Sequence, residues 1–296
     1  MKSIVLYIKK PSKIVSGLLN HFGFLLPDKQ YLKLKFRVIM GQPLNLKKPQ
    51  TFNEKLQWLK LYDRNPEYTI MVDKYVVKKY VADKIGEEYI IPTLGVWDKF
   101  EYIDFDKLPN QFVLKCTHDS GGLVICKDKA KLNIEVARNK INKSLNKDYY
   151  LWGREYPYKN VPRKIIAEKF MVDESGVELK DYKFFCFGGQ PKFFKIDFSR
   201  FQGHRANYYD MNGTLLPFAE VECMPNPERR FNLPSNFDTM VDIVSKLSAN
   251  IPFVRIDLYN INGQIYFGEI TFYPASGFGI IDPVEWDEKI GSWIKL

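Results

Sequence analysis

The sequence predicts an α+β fold in which helices lead and antiparallel hairpins follow. Three observations carry that prediction. Helical patterns reach as far as Ile85, one of them opened by the capping-box sequence Thr51-Phe-Asn-Glu54. From Arg163 onward the apolar residues fall mostly in short β-branched and aromatic runs. The last two runs, Phe253–Ile261 and Gln264–Tyr273, are joined by Asn262-Gly263, the strongest short hairpin signal a sequence offers.

In chain order, residues 1–45 read as short helices interrupted by Pro11, Pro27 and Pro43. The capping box opens a helix through Leu61, with Trp58, Leu59 and Leu61 facing the body. A second helix is expected from Thr69 to Ile85, ending at Gly86, with Ile70, Tyr75, Val76, Tyr80 and Val81 on its apolar face. Lys74 falls between those positions, where a lone lysine ordinarily snorkels to water. Phe112–Cys116 and Leu123–Lys127 are strands around the polar loop Thr117-His-Asp-Ser-Gly-Gly122. Residues 134–147 form a basic amphipathic helix, and Asp148–Pro162 is aromatic and loop-like. Strands follow at Arg163–Met171, at Val177–Phe187 and Pro191–Phe198 across Gly188-Gly189, and at Arg205–Asp210 and Thr214–Phe218 across Asn212-Gly213. A helix over Phe237–Asn250 precedes the final hairpin.

Composition narrows the function classes. At 296 residues with 45% hydrophobic and 15% aromatic content, the chain is globular and has room for one or two domains. No apolar run reaches the roughly 20 residues needed to span a bilayer. Lys9, Lys10 and Lys13 break the first segment and make it a poor signal peptide, which points to the cytoplasm. Cys116, Cys126, Cys186 and Cys223 show no C-x-x-C spacing, and the only histidines are His21, His118 and His204. Reduced, buried thiols are expected, without a structural zinc site. Residues 1–50 hold ten Lys or Arg against one acid, Asp28, so the whole net charge of +9 resides there. Two readings stand for that basic segment: an arm meeting an anionic membrane face or glycan carrier, and a solvated helical face packed on the body. Zinc-finger and RNA-recognition signatures are absent, so no nucleic acid is expected.

The chemistry-bearing residues cluster in two places. Arg255, Asp257 and Glu269 lie within strands that usually exclude charge, and pairing across the turn would bring the two carboxylates together. Adjacent carboxylates repel unless a cation separates them, and Mg²⁺ prefers such oxygens; an ordinary surface hairpin with alternating charge is the competing reading. The two-glycine loop at 117–122 can fold over a phosphate chain, since glycine permits close approach and backbone N–H groups donate. A plain hairpin turn is the more common explanation. Lys115, inside an apolar strand, costs free energy without an anionic partner. Neither the P-loop nor the G-x-G-x-x-G pattern occurs.

These pieces, in this order, resemble the TupA-like branch of the ATP-grasp superfamily, the type found in teichuronopeptide and surface or capsular polysaccharide biosynthesis. The resemblance rests on TFNEKLQWLKLYD at 51–63, DKYVVKKYV at 73–81, LPNQFVLKCTHDSGG at 108–122, LKDYKFFCFGGQPK at 179–192, FVRIDLY at 253–259 and FGEITFYPASG at 267–277. It covers residue 28 to the C-terminus. It implies an ATP-grasp fold, two α+β lobes clasping ATP, after a helical basic N-terminal extension. Residues 1–68 would be that extension, 69–165 the first lobe and 166–296 the second.

The resemblance also assigns roles. Lys115, and more loosely Lys74, would contact the nucleotide phosphates. The loop residues Thr117, His118, Ser120, Gly121 and Gly122 would close over them. Glu168, Lys169 and Phe170 resemble the interlobe hinge that reads adenine. Lys183 would face the nucleotide or γ-phosphate, and Arg255 would stabilise the transferring phosphoryl group. Asp257 and Glu269 are similar to the magnesium carboxylates. Here the superfamily's Glu-x-Asn is Glu269-Ile-Thr271, which puts a hydroxyl where a carboxamide is usual. The implied activity is an ATP- and Mg²⁺-dependent carboxylate–amine ligase working through an acyl phosphate. Its partners would be a small-molecule or glycan carboxylate and an amine, with Arg200, Arg205, Arg229 and Arg230 as candidate contacts to an anionic glycan. Two rivals remain: an ATP-dependent sugar kinase on the same fold, and a glycosyltransferase. The only D-x-D sequence, Asp104-Phe-Asp106, reads as a turn.

Overall fold

The computed structural model describes residue 19 and residues 22–173, 179–198, 203–229 and 231–296. His21, Arg200, Arg230 and residues 1–18 of the basic segment lie outside them. Helix α1 (Asp28–Met40) follows Pro27 and stops at Gly41, whose φ of +74° gives the left-handed cap. Helix α2 (Phe52–Tyr62) opens on the expected capping box. Thr51 Oγ1 accepts from the Glu54 N–H at 3.2 Å, and Glu54 Oε2 accepts from the Thr51 N–H at 3.3 Å. Leu59 is buried as expected, whereas Trp58 and Leu61 are half-buried.

The single helix expected over 69–85 is two, α3 (Glu67–Val72) and α4 (Val76–Ile85). Asp73 makes the break. Its Oδ1 accepts from the N–H groups of Tyr75 and Val76 at 2.8 and 3.2 Å, a local turn that competes with helical bonding. The interruption resets the buried face: Met71, Val72, Val77 and Val81 are buried, while Ile70, Tyr75 and Val76 are exposed. Lys74 falls in the break itself and is directed inward rather than snorkelling to water.

Strands β1 (Thr93–Trp97), β2 (Phe112–Cys116) and β3 (Leu123–Cys126) come next, followed by α5 (Ile134–Leu145) and α6 (Tyr149–Gly153), then β4 (Ile165–Lys169). The stretch expected to be loop between 148 and 162 therefore contains α6 and a 3₁₀ turn at Tyr156–Asn160. These strands form an antiparallel sheet in the order β1-β4-β2-β3. Pairing of β4 with β1 and β2 puts residues 165–169 in the first sheet, so a boundary at 165 divides a strand that belongs there. The expected alternation is clear in β2, where Phe112, Leu114 and Cys116 face a core with Phe100, Ile141 and Ile165.

The second half supplies β5 (Asp181–Phe187), β6 (Gln190–Phe198), β7 (Arg205–Asp210), β8 (Ala219–Glu220), α7 (Phe237–Ser248), β9 (Phe253–Ile261), β10 (Gln264–Thr271), β11 (Ile281–Asp282) and α8 (Glu285–Trp293). Its main sheet is antiparallel in the order β10-β9-β5-β6-β7. The strand expected at Thr214–Phe218 is reduced to one bridge, Tyr209 to Leu215. Asp210 draws the chain into a turn by accepting from the N–H groups of Asn212 and Thr214, and Pro217 has no N–H to continue a ladder. Every residue of β5 is buried. Phe184 packs 5.7 Å from Phe237 of α7, and Phe185 stacks on Phe193 at 4.4 Å, so aromatic contacts dominate this core.

Helix α2 packs against α8 at the far end of the chain. Asn53 donates from its backbone and side-chain nitrogens to Asp287 Oδ1 at 3.1 Å each, and Lys55 Nζ donates to the Ile294 carbonyl at 2.8 Å. Among the described residues no helix is long and apolar enough to cross a membrane.

Candidate active site

The β9–β10 hairpin turns as its sequence predicts, with φ of 52° at Asn262 and 85° at Gly263. A regular ladder from that turn would put Gly268 opposite Asp257 and leave the two acids on opposite faces. A bulge between Phe267 and Glu269 shifts the register by one, so Glu269 pairs with Asp257 and Thr271 with Arg255. Gly268 is the extra residue. A Cβ there would lie 2.9 Å from the Asp257 carbonyl oxygen, so the bulge requires glycine.

Register with β5 sets Lys183 beside Asp257. Lys183 Nζ donates to Asp257 Oδ2 at 2.6 Å and to Asp181 Oδ2 at 2.5 Å. Arg255 grips Asp257 with two bonds, Nε to Oδ1 at 2.6 Å and Nη2 to Oδ2 at 2.8 Å. The same Nη2 donates to Glu269 Oε1 at 2.7 Å and Thr271 Oγ1 at 3.0 Å. Two carboxylates and a hydroxyl thus converge around one cation. Burial raises the Asp257 carboxyl to about 6 against the pull of Arg255 and Lys183. At Glu269 burial is outweighed by Arg255, Lys183 and Lys74, which hold it down to about 2. Burial disfavours the Lys183 ammonium, but Asp181 and Asp257 raise it above its ordinary value. These hard oxygen donors fit Mg²⁺ in kind.

From the first sheet, Glu168 on β4 is bridged by Lys115 at 2.5 Å and by Lys78 at 2.6 Å. Burial would raise its carboxyl, but the two lysines hold it below the ordinary range. Lys115 therefore has the anionic partner its strand position demands. Lys74 Nζ donates to the Asp119 carbonyl in the glycine loop. The Asp119 carboxylate accepts from the Gly122 N–H at 3.1 Å and from the Ser144 hydroxyl, which closes the loop on itself.

Lys74, Lys115, Ser120, Gly122 and Glu168 line one side of a cleft of about 280 Å³, and Lys183, Asp257 and Glu269 line the other. Arg255 and Thr271 line an adjoining cleft of about 370 Å³ that shares Lys74, Ser120 and Glu269 with the first. Thr117, His118, Gly121, Lys169 and Phe170 line neither. Thr117 Oγ1 donates to the Pro162 carbonyl at 2.7 Å, and His118 Nε2 lies 3.2 Å from the Lys147 carbonyl, so these two anchor the loop's base instead of forming its tip. Lys169 is exposed on the strand end. Sequence reasoning missed Lys78 and Asp181, which also line the first cleft. Both carried a signal: Lys78 lies four residues after Lys74, and Asp181 shares a strand face with Lys183 two residues on.

Asp104 caps a 3₁₀ turn and accepts from the Asp106 N–H at 3.2 Å, so the D-x-D sequence is a turn. Arg205 is exposed, and the exposed Arg229 lies over the Phe198 ring at 4.2 Å. All four cysteines are free and buried.

The family described as TupA-like ATPgrasp matches residues 54–295. No curated protein matches the sequence. Among solved structures, the chain is similar to a D-alanine–D-alanine ligase from Bacillus anthracis complexed with ATP, at 15% identity and a TM-score of 0.45 over 76% of this chain and 63% of that one. It is similar to the D-alanine–D-alanine ligase of Helicobacter pylori at 13% identity and a TM-score of 0.43, over 84% of this chain and 70% of that one. A RimK domain ATP-grasp protein from Sphaerobacter thermophilus gives 9% identity and a TM-score of 0.43, over 77% and 69% of the two chains. The chain therefore spans less than two thirds of the Bacillus anthracis ligase it resembles.

Proposed function

Because the chain belongs to the TupA-like ATP-grasp family and has the ATP-grasp fold, we propose that it is an ATP- and Mg²⁺-dependent carboxylate–amine ligase acting in surface or capsular polysaccharide synthesis. The observation that carries this reading is the position of Arg255, which lines the second cleft while gripping Asp257 and Glu269 of the first. A guanidinium at that junction suits stabilisation of a phosphoryl group passing from nucleotide to acceptor. Nucleotide phosphates would lie against Lys74, Lys115 and Lys183. Asp257 and Glu269 would hold Mg²⁺, with Thr271 as a hydroxyl donor. Mg²⁺ there supplies charge neutralisation across the phosphates. The acceptor carboxylate would enter the adjoining cleft, walled by Tyr149, Tyr158 and Tyr273. Phosphorylation there gives an acyl phosphate, and displacement by an amine gives the amide. The Gly122 loop, drawn over the cleft, would keep water from the acyl phosphate. The residues carrying Lys183, Arg255 and Asp257 accept either an amide-forming or a phosphate-ester-forming acceptor, so the product decides.

The test is incubation with ATP, Mg²⁺, a panel of uronic and amino acids, and a panel of amines, reading ADP release and product mass. An amide adduct with stoichiometric ADP supports the ligase. A phosphate ester stable without amine would replace it with a kinase. Absence of nucleotide binding at millimolar ATP in a thermal-shift titration would remove both.

A further inference from the structure

A second group of side chains lies at the other edge of the five-stranded sheet. Asp197 is near the end of β6, and its register partner Ala206 follows His204 by two residues. Cys223 sits in the turn after β8, held by its N–H to the Glu220 carbonyl at 2.8 Å. His204 Nε2 is 2.9 Å from Asp197 Oδ1 and 3.8 Å from Cys223 Sγ. One donor atom from each of the three lies within 4.8 Å of the others.

The arrangement resembles a Cys–His–Asp relay but cannot work as one. A relay uses both ring nitrogens, one toward the nucleophile and the other toward the acid. Here sulfur and carboxylate both approach Nε2, and a single nitrogen cannot pass a proton between them. What converges instead is three lone-pair donors on one point. We propose that Asp197, His204 and Cys223 form a Zn²⁺ site.

A tetrahedral zinc ion with one oxygen, one nitrogen and one sulfur ligand sets those atoms roughly 3.3 to 3.6 Å apart. For the two pairs made by His204, the observed 2.9 and 3.8 Å need shifts of only a few tenths of an ångström, and the Asp197–Cys223 pair lies within 4.8 Å. Thiolate with imidazole selects zinc over magnesium or calcium, which take oxygen. Charge also balances. Binding releases the Cys223 thiol proton, and thiolate with the Asp197 carboxylate neutralises the dication. Lys195 lies 3.7 Å from Asp197 but also has Glu220 at 3.1 Å as a counter-charge. Asp197 and Cys223 are buried, whereas the His204 side chain is 46% exposed, which leaves an open side for a fourth ligand from water. None of the three lines the nucleotide cleft. Asp197 nevertheless lies 3.8 Å from Lys183, which itself holds Asp257, so one lysine joins the two sites.

The test uses untagged full-length protein stripped with a chelator, then loaded with zinc or cobalt(II). One zinc per chain should survive dialysis, and cobalt should give the near-ultraviolet thiolate charge-transfer band. Cys223→Ser should abolish that band, and both Cys223→Ser and His204→Ala should weaken zinc binding about tenfold or more. Asp257→Asn should leave both readouts unchanged. Thermal melts of the variants in chelator establish that they remain folded. Zinc binding that survives both Cys223→Ser and His204→Ala would overturn the proposal. So would zinc lost in Asp257→Asn but retained in Cys223→Ser, which would put the ion in the nucleotide cleft.

Discussion

Glu168 in the first sheet and Asp257 in the second are both buried carboxylates held by two basic side chains, yet their surroundings carry opposite excess charge. Glu168 is one acid facing Lys78 and Lys115, with Lys74 on the same side of the cleft. Asp257 is joined by Asp181 and Glu269 against Lys183 and Arg255. The first cluster therefore has positive charge to spare, and the second has negative. A polyphosphate carrying a divalent cation matches that polarity, with its oxygens toward the first sheet and its metal toward the second. The basic side chains and acids of each cluster are already joined in ion pairs, so binding must exchange some of these for new ones.

The sharpest way to break this contrast is to remove the acids. Asp257→Asn with Glu269→Gln leaves Arg255 and Lys183 with Asp181 and the more distant Asp197, and Mg²⁺-dependent ADP release should fall by about a thousandfold or more. Full activity in that double variant would reject the metal assignment. Next in size is pH. A protonated carboxyl cannot ligate, and Asp257 is raised to about 6. Apparent Mg²⁺ affinity should therefore hold above that pH and fall about tenfold per unit below it. Titrating Mg²⁺ at pH 7.5 and at pH 5 reads the difference. A constant half-saturation would show that Asp257 is not a ligand.

The first cluster gives an effect of similar size. Lys115→Met removes one of the cations on Glu168, and ATP affinity by calorimetry should weaken about 10- to 100-fold, the range of one charged hydrogen bond. A loss seen only in turnover, with affinity intact, would move Lys115 from binding to chemistry. Smallest is Thr271→Asn, which restores a carboxamide beside Glu269. It should alter Mg²⁺ half-saturation by only about two- to tenfold, the scale of one neutral hydrogen bond. A far larger gain would mean that the hydroxyl limits metal binding in the natural chain.

The hairpin carrying Asp257 and Glu269 was legible because Asn-Gly dictates a tight turn. The meeting of the two acids across that turn was expected as well, and the structure achieves it only through the bulge at Gly268, whose register the sequence does not fix. Lys74 was misplaced for a comparable reason. Periodicity spoke for one helix, and the short side chain of Asp73 captured the backbone instead. Strand β1 went unseen because Thr-Leu-Gly-Val-Trp offers little alternation, and its pairing is irregular between Thr93 and Gly95. Asp197, His204 and Cys223 have no metal-ligand spacing in the sequence, yet their ligand atoms lie within 4.8 Å of one another. The sheet supplies the proximity that the sequence lacks.

The contact between α2 and α8 bears on how this chain is made. Asn53 and Asp287 are 234 positions apart, and both bonds between them are buried. Such a contact forms only after the residues between them have been made, since synthesis proceeds from the N-terminus at about 5–20 residues per second. Until then Asn53 lacks the carboxylate that accepts from its backbone and side-chain nitrogens. The earliest segment of the family match is thus completed by one of the latest elements of the fold, so its folding waits on a partner made long after it.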